Sequence, residues 1–116
     1  MLLEAAGETL ARRGYVLQAD AIQIRSGLYR FSPAQADDAP IVDVQLLFYS
    51  GGGPSRFEVK VWRNGGEKRK LGVWLREQGI ETLADESGWW EFVSGQELEE
   101  ALRDGMSGLE RMLNAQ

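Results

Sequence analysis

Carboxylates are the main side chains available for acid–base or metal chemistry in this chain, because it has neither histidine nor cysteine. Histidine is the commonest general base and the commonest transition-metal ligand. Its absence excludes serine-histidine-aspartate and cysteine-histidine nucleophiles and the histidine-bearing zinc sites. A carboxylate pair, a Ser–Lys arrangement, a tyrosine or a hard cation held by carboxylates remains. Adjacent acids occur at Asp37/Asp38, Asp85/Glu86 and Glu99/Glu100, but sequence neighbours on a helix or strand point apart. None has the DxDxDG spacing of a calcium loop. No catalytic residue, cofactor site or metal site is assigned, and catalysis is not expected.

The stretch SGGGPS at 50–55 raises the question of phosphate binding. A Walker loop needs GxxxxGK[ST] followed by a helix, so that aligned amides and a lysine meet the phosphates. Here Pro54 has no amide proton, the first lysine is Lys60, and the residues that follow alternate like a strand. The dinucleotide fingerprint fails too, since Arg56 stands where its third glycine would be. Glycines that allow positive φ at a chain reversal explain the run better, so SGGGPS is expected to be a hairpin turn.

Charge is unevenly spread over a net −5. Residues 56–76 hold seven basic side chains against Glu58 and Glu67, whereas from residue 77 onward ten acidic ones face Arg103 and Arg111. Such polarity can steer a charged partner or be neutralised within the fold. Four tryptophans add potential anchors, since Trp and Tyr are enriched at protein interfaces. The candidate contacts are Asp43, Tyr49, Trp62 and Trp90 with Glu99, Glu100 and Asp104. Trp89 and Trp90 should point to opposite faces of a strand, one into the core and one outward. A basic stretch near tryptophans can also bind nucleic acid, but the domain as a whole is acidic, which argues against that.

These side chains need a scaffold, and the apolar pattern supplies one. Leu3, Ala6 and Leu10 predict a helix over 2–13 that Gly14 ends. Strands follow in YVLQADAIQIRS, with Ile22 and Ile24 alternating, and in GLYRFS, with Tyr29 and Phe31 on one face. PAQADDAP reads as a loop. Val42, Val44, Leu46 and Phe48 share a face in the next strand, as do Phe57, Val59 and Val61 after the SGGGPS turn, so the two form an antiparallel hairpin. NGG at 64–66 breaks the chain. Leu71, Trp74, Leu75 and Gln78 favour a helix despite Gly72 and Val73, with a strand as the alternative. IETLADES reads either as loop or as the start of a strand, and GWWEFV is a last short strand. Ser94 and Glu97 have capping-box spacing before a helix with Leu98, Ala101, Leu102, Leu109, Met112 and Leu113 as its stripe. Gly105 and Gly108 within it call for a close neighbour, or leave the helix locally weak.

The expected fold is one α+β domain spanning 1–116, a four- to five-stranded antiparallel sheet packed by N-terminal, middle and C-terminal helices. A chain of 116 residues can build a single core. No apolar run approaches the ~20 residues of a membrane span, the first residues do not resemble a secretory signal, and the lack of cysteine fits a reducing compartment. A cytoplasmic location, without membrane contact, is expected.

In its order of elements, and in the stretches RRGY, VDVQLLFYS and SGWWEFVSGQELEEAL, the chain resembles small bacterial α+β domains found among polymorphic-toxin immunity proteins. The resemblance implies a non-catalytic inhibitor that binds and blocks a partner enzyme, its acidic groups meeting the basic rim of a toxin or effector. In size and acidity the chain is also similar to type III secretion chaperones, which implies a homodimer holding an effector segment. In chaperones, however, more strands follow the second helix. A small-ligand-binding domain is the third alternative.

Overall fold

The structure, a computed structural model, describes residues 2–18, 25–34, 39–49, 51, 53–63 and 65–115. Ile22, Ile24, Asp37, Asp38, Ser50, Gly52, Asn64 and the side chain of Leu3 lie outside the described residues. Helix α1 spans Leu2–Ala11, α2 Leu71–Glu77 and α3 Gly95–Asn114. The strands are β1 (Tyr15–Gln18), β2 (Leu28–Pro33), β3 (Ile41–Leu47), β4 (Ser55–Trp62), β5 (Arg69–Lys70) and β6 (Trp90–Phe92).

All pairings are antiparallel, in the order β1-β2-β3-β4-β5. The far edge of β4 is shared: β5 takes Lys60 and Val61, and β6 takes Ser55, Arg56 and Phe57. Glu58 and Val59 sit where that edge changes partner. The six described strands form the expected antiparallel α+β sheet with one strand beyond the four or five expected, the two-residue β5 being too short for periodicity to reveal. The segment from Gly79 to Trp89 is loop, and no strand starts in IETLADES. Phe48, expected to continue the β3 face, lies past the strand end and is 74% exposed. No described helix is long and apolar enough to cross a membrane.

One face of the sheet carries Tyr15, Phe31, Val42, Val44, Phe57, Val59, Val61, Trp90 and Phe92, all buried. Against it lie Ala6 and Leu10 of α1, Leu71 and Leu75 of α2, and the stripe of α3 from Ala101 to Leu113. Phe57 and Trp90 stack at 5.3 Å between ring centroids, their planes nearly parallel at 8°. Such a pair adds about 1 kcal/mol to the burial of its rings. Helix α3 starts on the expected capping box: Ser94 Oγ accepts from the Glu97 amide at 3.2 Å, and Glu97 Oε2 accepts from the Ser94 and Val93 amides.

The glycines inside the helices mark close approaches. A Cβ on Gly108 would lie 2.6 Å from Leu75 Cδ1, and one on Gly105 would lie 3.3 Å from Phe57 Cε2. Both therefore let α3 settle onto α2 and the sheet. Gly72, which weakened the expectation of α2 as a helix, meets backbone and not only a flexible side chain. Its Cβ would meet Gly88 Cα at 2.7 Å and Ala84 Cβ at 2.8 Å, so the loop before β6 crosses α2 backbone to backbone.

Gly7 in α1 has nothing within 4 Å of an added Cβ, so Gly7→Ala should stabilise by about 0.5–1 kcal/mol. Gly72→Ala should destabilise by about 2 kcal/mol or more, because backbone must move; chemical denaturation of both variants reads the two signs. Tyr15 donates its hydroxyl to the Pro40 carbonyl at 2.7 Å, and burial raises its pKa, with Arg13 and Arg63 pulling the other way. A raised tyrosine pKa favours the neutral form in the folded state. Its contribution is therefore whole below pH ~10 and is lost as pH climbs through the folded-state value. Tyr15→Phe should cost about 1 kcal/mol at neutral pH and flatten that alkaline loss in melts recorded against pH.

Candidate functional site

No described helix packs on the opposite face of the sheet. Because strand side chains alternate, the residues between the core positions of β3 and β4 all lie there. The register places Arg30, Asp43, Lys60 and Lys70 in one row across β2, β3, β4 and β5. Gln45 faces Glu58 in the next row, and Leu47, Arg56 and Glu91 form the row beyond.

Two of these acids are sunk into the face, Asp43 at 2% and Glu58 at 3% exposure. An unpaired carboxylate at such a depth would cost several kcal/mol in desolvation. Asp43 meets that cost with four contacts. Arg30 donates Nε to Oδ1 at 2.8 Å and Nη2 to Oδ2 at 3.1 Å, Trp62 donates Nε1 to Oδ2 at 3.1 Å, and Lys68 Nζ lies 3.4 Å from Oδ2. Glu58 is flanked by Lys60 Nζ at 3.1 Å and Lys70 Nζ at 3.2 Å. The Lys70 contact is an ion pair without hydrogen-bond geometry, which leaves Glu58 Oε2 with no donor aligned on it. Lys70 also donates to the Ser87 carbonyl at 3.0 Å, tying the loop before β6 to this cluster.

Each acid has a tryptophan beside it. Arg30 and Lys68 lie over the Trp62 ring at 5.1 and 5.0 Å, and Arg56 and Lys70 lie over Trp89 at 4.5 and 5.6 Å. Cation–π attraction adds about 0.5–1 kcal/mol per contact at partly exposed sites. Trp89 is held from its backbone as well: Asp85 Oδ1 accepts from the Ser87 and Trp89 amides, and the Asp85 amide donates to the Trp89 carbonyl. Chemically, the face offers fixed cationic heads and half-buried indoles. With its oxygens taken, Asp43 is a poor candidate for a proton acceptor. Among the described residues no three acids gather to hold a metal ion.

The sequence-derived candidates scatter. Asp43 and Trp62 touch each other in this face. Tyr49 does not join them: Trp62 pairs with Ile41, whereas Tyr49 lies past Leu47 at the other end of the hairpin, about 20 Å away along the strand. There it is 54% exposed beside Phe48. Trp90 is fully buried and so has no surface for a partner; of the two neighbouring tryptophans, Trp89 is the one turned to the outer face. Asp104 is committed within the fold, its Oδ2 accepting from Trp90 Nε1, Thr82 Oγ1 and the Leu83 amide at 2.6–2.8 Å. Glu99 and Glu100 are exposed on α3, remote in kind from the Trp62 cluster.

Arg30, Arg56, Glu58, Lys68 and Lys70 belong to the face and were not singled out as candidates. The signal for Glu58 was present, a charge between Phe57 and Val59 in the middle of a core strand. The others become visible only once the strand register is known.

Removing the Asp43 carboxylate should cost more than removing one of its cations. Asp43→Ala should destabilise by about 3 kcal/mol, because it strands Arg30 and the Trp62 indole. Lys68→Ala should cost under about 1 kcal/mol, since that side chain is 45% exposed and screened. Equal losses in denaturant titrations would mean that Asp43 does not organise the cluster.

No protein-family model matches this chain, and neither a characterised protein nor a solved structure is significantly similar to it.

Proposed function

We propose that this chain is a non-catalytic binding domain of the inhibitor or immunity type, and that it engages a protein partner through the outer face of its sheet. The observation that carries this reading is the arrangement of Trp62 and Trp89, each half-buried and each held by two cations. Trp and Arg dominate the energetics of protein interfaces. Side chains already fixed lose little further freedom on association, which favours affinity. Among the described residues, three helices pack on the core positions of the sheet, which leaves its outer face for a contact.

The exposed acids of α3, Glu99 and Glu100, are the alternative contact surface. They lack an aromatic anchor and a fixed geometry, and a run of acids on a helix is most simply a solvated face.

The test is capture of the partner from native lysate, with light scattering on the purified chain. Trp62→Phe and Trp89→Leu should weaken capture by about tenfold or more, the scale of an interface anchor, while melting stays cooperative. Glu99→Gln with Glu100→Gln should change it less than threefold, as expected of rim charges. A loss confined to the glutamate variant would transfer the contact to α3. A dimer holding an extended segment would make the chain a chaperone.

A further inference from the structure

We infer that the outer face recognises an acidic stretch of its protein partner, so that an acidic chain binds through a locally basic surface. This rests on the reading of that face as the contact surface and adds the partner's chemistry to it.

The argument lies in the depth at which each charge sits. The chain carries net −5, yet on this face Asp43 and Glu58 are almost wholly buried. The cations that cover them reach solvent: the side chains of Arg30, Lys60, Lys70 and Lys68 are 24%, 34%, 34% and 45% exposed. Arg30, Arg56, Lys60, Lys68 and Lys70 outnumber Asp43, Glu58 and Glu91. What a partner meets is therefore ammonium and guanidinium, held in position from below.

Two of the lysines also have donors beyond their ion pairs. A lysine ammonium has three N–H groups, and the described contacts of Lys60 and Lys68 each use one, toward Glu58 and Asp43. Carboxylates brought in by a partner would supply the acceptors, in charge-assisted bonds. An acidic protein surface suits this face better than a nucleic acid. Single-strand binding needs open π-faces for the bases, whereas both indoles are already engaged by the chain's own cations.

The experiment titrates the isotope-labelled chain at low salt with poly-L-glutamate, poly-L-lysine and single-stranded oligothymidylate, following the indole N–H signals of Trp62 and Trp89. Poly-L-glutamate should shift both signals saturably. Lys60→Gln combined with Lys68→Gln should weaken that binding about fivefold, the scale of two partly exposed charge contacts. Raised salt should weaken it as well. Shifts produced by poly-L-lysine on α3 alone, or tighter binding of the oligothymidylate, would overturn the inference. So would the absence of any response to poly-L-glutamate. If a partner captured from lysate still perturbs both indoles in that last case, only the acidic chemistry falls and the face remains the contact surface. If it perturbs neither, both readings fall.

Discussion

Two carboxylates buried on the sheet's outer face constrain much else in this protein. Cations from three segments converge on Asp43 and Glu58 at that depth: Arg30 from β2, Lys60 from β4, and Lys68 and Lys70 at β5. The desolvation penalty is recovered only when the geometry is good, so the cluster acts as a lock on register. A slip of one residue in β3 would turn Asp43 into the core and Val42 and Val44 outward. Apolar and ionic faces thus specify the same pairing from opposite sides.

The core face answers with close backbone contact. The split edge of β4 leaves β5 and β6 too short to hold themselves, and α2 with its following loop spans the distance between them. Gly72 against Gly88 lets that loop cross the helix, and Lys70 reaches the Ser87 carbonyl from the other side. Asp104 then fastens α3 to the same loop and to the Trp90 indole. A chain of contacts therefore runs from the C-terminal helix, through the loop that sets Trp89, to the charges of the outer face.

Much of the scaffold was legible in the sequence. The β3–β4 hairpin and the capping box at Ser94 depend on local pattern, which the chain states outright; Gly105 and Gly108 left close packing or local weakness open, and the contacts with Phe57 and Leu75 decide for packing. The site was less so. Asp43 and Trp62 could be placed on one face by alternation, but their contact depends on the register of a hairpin whose turn length had to be guessed. Alternation also places Tyr49 on the side of Asp43, and the register separates it from Trp62 by the length of a strand. Periodicity showed that Trp89 and Trp90 part company without showing which goes inside; the stacking of Trp90 on Phe57 decides that, and it is a contact between distant segments. Arg30 and Lys70 join the cluster through pairings that no local pattern carries.

The outer face as a contact surface is the central claim. Hydroxyl-radical footprinting of the chain, free and bound to a partner captured from native lysate, tests it most directly, because tryptophan oxidation reports on the side chains at issue. The account predicts that Trp62 and Trp89 become protected on binding while Phe48 and Tyr49 at the hairpin tip keep their reactivity. Unchanged tryptophan oxidation, with protection at the hairpin tip or on α3 instead, would contradict it.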